Sequence, residues 1–246
     1  MVGGGAPGGV SYSRGVADLE ERSARAQPLI ADVVLSRPLL RGWSHLVAFA
    51  TVGIIGMFML ALTEAPPRHR LLIVLYLLCM LTMFGTSAMY HRGRWTAAEI
   101  AVLRRMDHST IFLAIAGTYT PVSVAAFEGT RMTVTILVVW IGAAVGIALQ
   151  FLPVHLPRVV FSLVYVVVGW SLLPSIVQLY DGLGPTGFSL VLGGGVAYTA
   201  GAVVYAAKRP DPWPATFGFH EVFHLLTVVG GGMHLAAVAF FALPNL

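Results

Sequence analysis

Seven long apolar runs, near residues 42–63, 71–91, 106–126, 132–152, 157–177, 186–207 and 217–241, alternate with short polar breaks along the chain. Each is close to the ~20 residues that an α-helix needs to cross the hydrocarbon core of a bilayer. Several carry Gly and Pro inside them, as at Gly193-Gly194-Gly195, Gly230-Gly231-Gly232 and Pro121. Such residues weaken a helix in water, but a membrane bundle uses small residues at close helix contacts and re-satisfies the backbone around a Pro. The pattern predicts an all-α fold, a bundle of seven transmembrane helices.

Residues 1–41 break the pattern. MVGGGAPGGVSYSRG is Gly-rich without the apolar core of a signal peptide, so the segment is expected to be a tail, partly disordered. Within it, residues 17–36 mix charged and apolar positions and could lie on a membrane surface, although Pro28 interrupts any single helix there. Of the 15 Lys and Arg residues, all but Arg68, Arg70 and Arg131 fall on the side of the membrane that carries this tail. The positive-inside rule then puts the N-terminus in the cytoplasm and, after seven spans, the C-terminus outside. The expectation is a multi-pass protein of the cell inner (plasma) membrane.

Composition agrees: 57% of residues are hydrophobic and only 11% charged, against about 25% charged in globular domains. The net charge of +4 is explained by the cytoplasmic Arg residues and by attraction to anionic lipid, so no nucleic-acid partner is expected. The single Cys79 rules out a disulfide framework.

Placed by depth, the ionisable residues gather at one leaflet. Ser87 and His91 end the second run, Asp107 and His108 begin the third, and His220, Glu221 and His224 begin the seventh. Charged and ionisable groups in a membrane are costly and normally face a bundle interior or a wet cavity. Taken one at a time, Asp107 could cap its helix or pair with Arg104 or Arg105, Ser87 could bond its own helix backbone, and His91 could be solvated at the boundary. The pair His220 and His224, four residues apart on one helical face, needs partners. A third histidine at the same depth completes three ligands plus a water, the arrangement of a catalytic zinc site. His91 is that candidate, and His45, at the start of the first run, is the substitute. His234 lies ten residues beyond His224, about 15 Å along the helix, and is expected to stand outside the site.

His220 to His224 also reads H-E-x-x-H, a zinc-protease pattern. The extended protease motif requires Gly and His where this chain has Thr227 and Gly230, and residues 225–246 contain no Asp or Glu for a downstream acidic ligand.

PLLRGWSH at 38–45, TSAMYHR at 86–92, LRRMDHSTIFLAIAGTYTPV at 103–122 and GFHEVFH at 218–224 together resemble the hemolysin III family of bacterial membrane proteins. That family is similar to the progestin and adipoQ receptors and to the alkaline ceramidases, seven-span proteins sharing a Ser, an Asp and three His. The resemblance implies that Ser87, Asp107, His91, His220 and His224 are that set, and it does not make Glu221 a catalytic base. It implies a zinc-dependent hydrolase of a lipid amide or ester at the cytoplasmic leaflet, with membrane lipid as partner. Zinc would sit on His91, His220 and His224, Asp107 would take a proton from water, and Ser87 would donate to the developing oxyanion. Two other classes come with the same resemblance: a cytolytic, pore-forming hemolysin, and a receptor-like protein with a structural zinc.

Overall fold

The computed structural model describes residues 38–64, 66–152 and 158–245. The expected tail, residues 1–37 of it, lies outside the described residues. The described residues are all-α: α1 Trp43–Leu62, α2 Pro67–Arg92, α3 Ala97–Ala126, α4 Gly129–Phe151, α5 Arg158–Gly169, α6 Ile176–Ala207 and α7 Phe219–Ala237, the last continuing as a π-helical turn, Val238–Ala242. Six segments are long and apolar enough to cross a membrane, as expected of a multi-pass membrane protein.

One of those segments, Val159–Ala207, runs for 49 residues, more than twice what a single crossing needs. It folds back on itself. The Tyr165 hydroxyl donates to the His108 carbonyl at 3.0 Å, and the Tyr205 hydroxyl lies 3.4 Å from His108 Nε2. A straight helix would hold residues 165 and 205 about 60 Å apart, whereas here both meet one residue of α3. The reversal is built from the short 3-10 turn Leu173–Ser175 and from Gly184, whose φ of 67° and ψ of 174° suit only glycine, followed at once by Pro185. Opposite this turn, the backbone of Gly182 lies against Ala126 at the far end of α3.

Helices α2 and α3 form the centre. Tyr76, Phe84, Met80 and Ile73 of α2 and Phe112 of α3 are fully buried. By contrast α1 and α4 turn much of their apolar surface outward, as at Met57, Phe58, Leu62, Leu137 and Ile141. A surface of this extent is an aggregation liability in water and an ordinary face toward lipid. Helix α3 begins with a capping box: Thr96 Oγ1 accepts from Glu99 N at 3.4 Å, and Glu99 Oε2 accepts from Thr96 N at 2.7 Å. Asp107 therefore sits about three turns inside α3 and does not cap it.

Candidate metal centre

Three helices deliver the candidate residues. Helix α2 carries His91 in its last turn and Ser87 one turn earlier, α3 carries Asp107 and His108, and α7 carries His220, Glu221 and His224. The start of α7 is held in place by acidic groups. Phe219 N donates to Asp211 Oδ1 at 2.8 Å and Gly218 N to Glu221 Oε2 at 2.8 Å, so two of the first-turn N–H groups are satisfied by carboxylates. The other oxygen of Glu221 pairs with Arg41, which leaves both oxygens of this buried Glu committed to structure.

His91, His220 and His224 meet. Each offers a ring nitrogen within 4.8 Å of the other two, and Nε2 of His91 and Nε2 of His220 are 3.2 Å apart. Metal–nitrogen bonds of 2.0–2.1 Å in a tetrahedral site put neighbouring nitrogens about 3.3 Å apart, so the observed spacing suits a shared ion. Both ring nitrogens of His224 are buried without a hydrogen-bond partner. A neutral imidazole always has one N–H, and leaving it buried and unmatched costs about 1–3 kcal/mol. A metal ion satisfies the other nitrogen and draws three such rings together, so the triad could hold one.

The remaining groups lie around the triad. Asp107 Oδ2 is 3.7 Å from His91 Nε2 and 3.9 Å from His108 Nδ1, and its side chain is 14% exposed. The buried Ser87 hydroxyl sits beside that carboxylate without forming a hydrogen bond of normal geometry. His108 is engaged elsewhere, with Nδ1 donating to the Arg104 carbonyl at 2.7 Å. His45 is buried with its ring centroid 4.0 Å from that of His224 and its edge toward Phe84, and neither of its nitrogens has a partner. It therefore stands next to the triad in addition to His91. His234 is far from the cluster, with Nε2 donating to the Val191 carbonyl at 3.0 Å.

A cavity of about 120 Å³ begins at Asp107, His108 and His220 and runs between α3, α5, α6 and α7 as far as Thr118, Trp170 and His234. Its flanks are apolar, among them Met83, Ile111, Ile115, Val166 and Phe223. A second hollow, reaching Leu179 and Phe188, shares the Thr118, Trp170 and His234 walls and continues it. From Asp107 to Thr118 the path covers about 16 Å along α3.

Arg41 and this cavity are the features that residue patterns missed. The motif PLLRGWSH contains Arg41, and GFHEVFH contains Glu221, but charge pairing between positions 180 residues apart leaves no periodic signal.

The sequence profile described as Haemolysin-III related matches residues 33–235, more than half of the chain. Among curated proteins, the chain is 33% identical over 140 residues to "Hemolysin-3" of Bacillus cereus, covering 57% of this chain and 61% of that protein. It is 30% identical over 162 residues to the "Hemolysin-3 homolog" of Bacillus subtilis (strain 168), covering 66% of this chain and 73% of that protein. The match to the first thus spans less than two thirds of its length.

Proposed function

The chain belongs to the haemolysin III-related family, and from that premise we propose that it is a seven-pass membrane hydrolase that uses zinc to cleave a lipid amide or ester at the cytoplasmic leaflet. The observation that carries this reading is the position of Asp107, whose carboxylate borders both the histidine triad and one end of a mainly apolar cavity. A structural metal needs no carboxylate at that junction, and a hydrolase does.

Three nitrogen donors with a carboxylate held just outside the ligand set suit zinc. Bound zinc would supply Lewis acidity, activating a water and polarising a carbonyl. The chain's own residues do the rest. His91, His220 and His224 would hold the ion, and Asp107 Oδ2 would accept a proton from the attacking water. Ser87 Oγ–H, which lies beside Asp107 without a hydrogen bond of normal geometry, would donate to the carbonyl oxygen as charge develops there. The cavity takes the apolar chain of the substrate and keeps bulk water from its path. Helix α5 and the second half of α6 count as separate crossings in this reading, and the excess of Arg in the segments next to the triad supports a cytoplasmic position for it at the cell inner membrane.

A cytolytic pore is what the relatives' names suggest. It fits less well, because a conducting path requires polar lining and the cavity here is bordered mainly by apolar side chains. Asp107→Asn separates the classes. Asn preserves the shape and accepts hydrogen bonds but cannot take up the proton. Zinc content and fold are expected to persist while hydrolysis falls roughly 10²–10⁴-fold. The measurement compares lipid profiles of cells with wild type, Asp107→Asn and no protein, then assays the purified protein on any lipid that accumulates. Wild type and Asp107→Asn sharing one profile, distinct from cells lacking the protein, would leave a receptor or pore as the better account.

A further inference from the structure

The cavity beside the triad and the second hollow beyond it meet at a collar to which four elements contribute. Thr118 of α3, Trp170 directly after α5, Gly195 of α6 and His234 of α7 border both spaces. A residue that borders two neighbouring spaces stands between them, and Trp170 has the largest side chain of the four.

The Trp170 ring is held in place at this level. Its Nε1 donates to Thr199 Oγ1 at 2.8 Å, which ties the indole edge to α6. One turn earlier on α6, Gly195 offers no side chain, and a Cβ there would lie in ordinary contact with Cζ2 and Cη2 of the ring, at 3.6 and 3.7 Å. Trp170 N donates to the Val166 carbonyl at 2.9 Å, so its backbone continues the last turn of α5. The side chain therefore reaches from α5 to α6 and is anchored at both ends. It is only half-buried, and the two hollows lie against it.

This position sets a length. The rise from Asp107 to Thr118 along α3 is about 16 Å, and an extended acyl chain with bonds near 1.5 Å advances about 1.25 Å per carbon. About 13 carbons thus reach from the Asp107 end to the collar. Val122, one turn further along α3, borders the second hollow and not the first. A chain reaching its level would run about 22 Å, which takes about 18 carbons.

We infer that Trp170 sets the length of acyl chain this protein accepts, with chains of about 12–14 carbons ending at its ring. The inference rests on the lipid-chain reading of the cavity and narrows its substrate class to medium-length acyl chains. Each methylene buried short of the ring adds affinity. Methylenes beyond it have to displace an indole hydrogen-bonded to α6 and overpack the collar.

A series of saturated acids, from octanoic to eicosanoic, tests this. Purified full-length protein in detergent is incubated with an equimolar mixture. The retention of each acid, read by mass spectrometry, is divided by its retention in protein-free micelles. Wild type is expected to peak at lauric and myristic acids, with stearic acid about tenfold lower. Trp170→Ala removes the ring and joins the two hollows, so the peak is expected to move to stearic acid. Trp170→Leu is a milder change that keeps an apolar contact toward Gly195. It is expected to move the peak part of the way, to palmitic acid, and is read alone if the alanine variant does not fold. A wild-type profile that keeps rising through stearic acid, or a peak that stays at myristic acid in the folded variants, overturns the inference while leaving the lipid-chain reading in place. Retention of no acid above the micelle background overturns that reading and the inference with it.

Discussion

His224 has two buried nitrogens without partners, and a metal can take only one of them. The other carries a proton and needs an acceptor, a role that an outer group fills in most histidine metal sites. His45 is the nearest ring, 4.0 Å between centroids with the planes tilted 47°, and neither of its nitrogens makes a hydrogen bond of normal geometry. It is therefore suited to orient His224 without joining the ligand set. His45→Ala is expected to weaken zinc binding by 10–100-fold, and His45→Gln to recover part of the loss, as measured by competition with a chelator of known affinity. His91→Ala is expected to cost more than His45→Ala, because it removes a ligand. An equal or larger effect from His45→Ala would exchange the two roles. At this scale the grouping of the three histidines was legible, since helical spacing alone puts His220 and His224 on one face and topology brings His91 to their depth. Asp107 was not, because the same carboxylate near a run boundary reads equally well as a helix cap. Only the capping box at Thr96 and Glu99 shows that α3 starts well before it.

At the scale of elements, the ends of α2 and α7 must be held together for the triad to exist, and residues 40–43 do this. Leu40 N donates to the Thr216 carbonyl at 3.1 Å just before α7, and Arg41 pairs with Glu221 in the first turn of α7. Gly42, with φ of 78°, packs against α2 where a Cβ would come within 2.8 Å of His91 Cβ. The Arg92 guanidinium lies 3.7 Å above the centroid of the Trp43 ring. One short strap thus ties His91 to the helix that carries its two partners. Gly42→Ala adds both a left-handed strain of about 1–3 kcal/mol and a clash on His91, and is expected to lower the melting temperature and the zinc content together. Arg41→Ala leaves the buried Glu221 charge unpaired, a loss of about 3–5 kcal/mol. Adding Glu221→Gln removes that charge while keeping an acceptor for Gly218 N, so the double variant is expected to melt above Arg41→Ala alone. The reverse order in a detergent melt would show that Glu221 does more than pair and cap. Hydrophobic patterning could not have found the strap, because its parts lie in three separate segments and Glu221 sits inside a motif that suggests chemistry.

At the scale of the whole molecule, the polar break between the apolar runs 157–177 and 186–207 anticipated a reversal inside Val159–Ala207, and the structure builds it from two local features, the Leu173–Ser175 turn and the positive φ of Gly184 before Pro185. Whether the chain crosses six or seven times decides where its ends lie and whether the Arg-rich segments share a leaflet with the triad. Because Tyr165 and Tyr205 both reach His108 while Gly182 lies against the opposite end of α3, the reversal should be at the outer surface. Asp181 and Ala215 are both exposed, and native Cys79 is buried and should remain silent to thiol reagents. Asp181→Cys is expected to react with a membrane-impermeant maleimide in intact cells, and Ala215→Cys only after permeabilisation. A cysteine added after Leu246 should react like the one at position 181, since one further crossing, α7, separates it from Ala215. If Asp181→Cys required permeabilisation while Ala215→Cys did not, the bundle would be inverted, and substrate would have to reach the triad from the outer leaflet. If positions 181 and 215 behaved alike, the out-and-back path of Val159–Ala207 would not carry two crossings, and a seven-pass protein would be the wrong description.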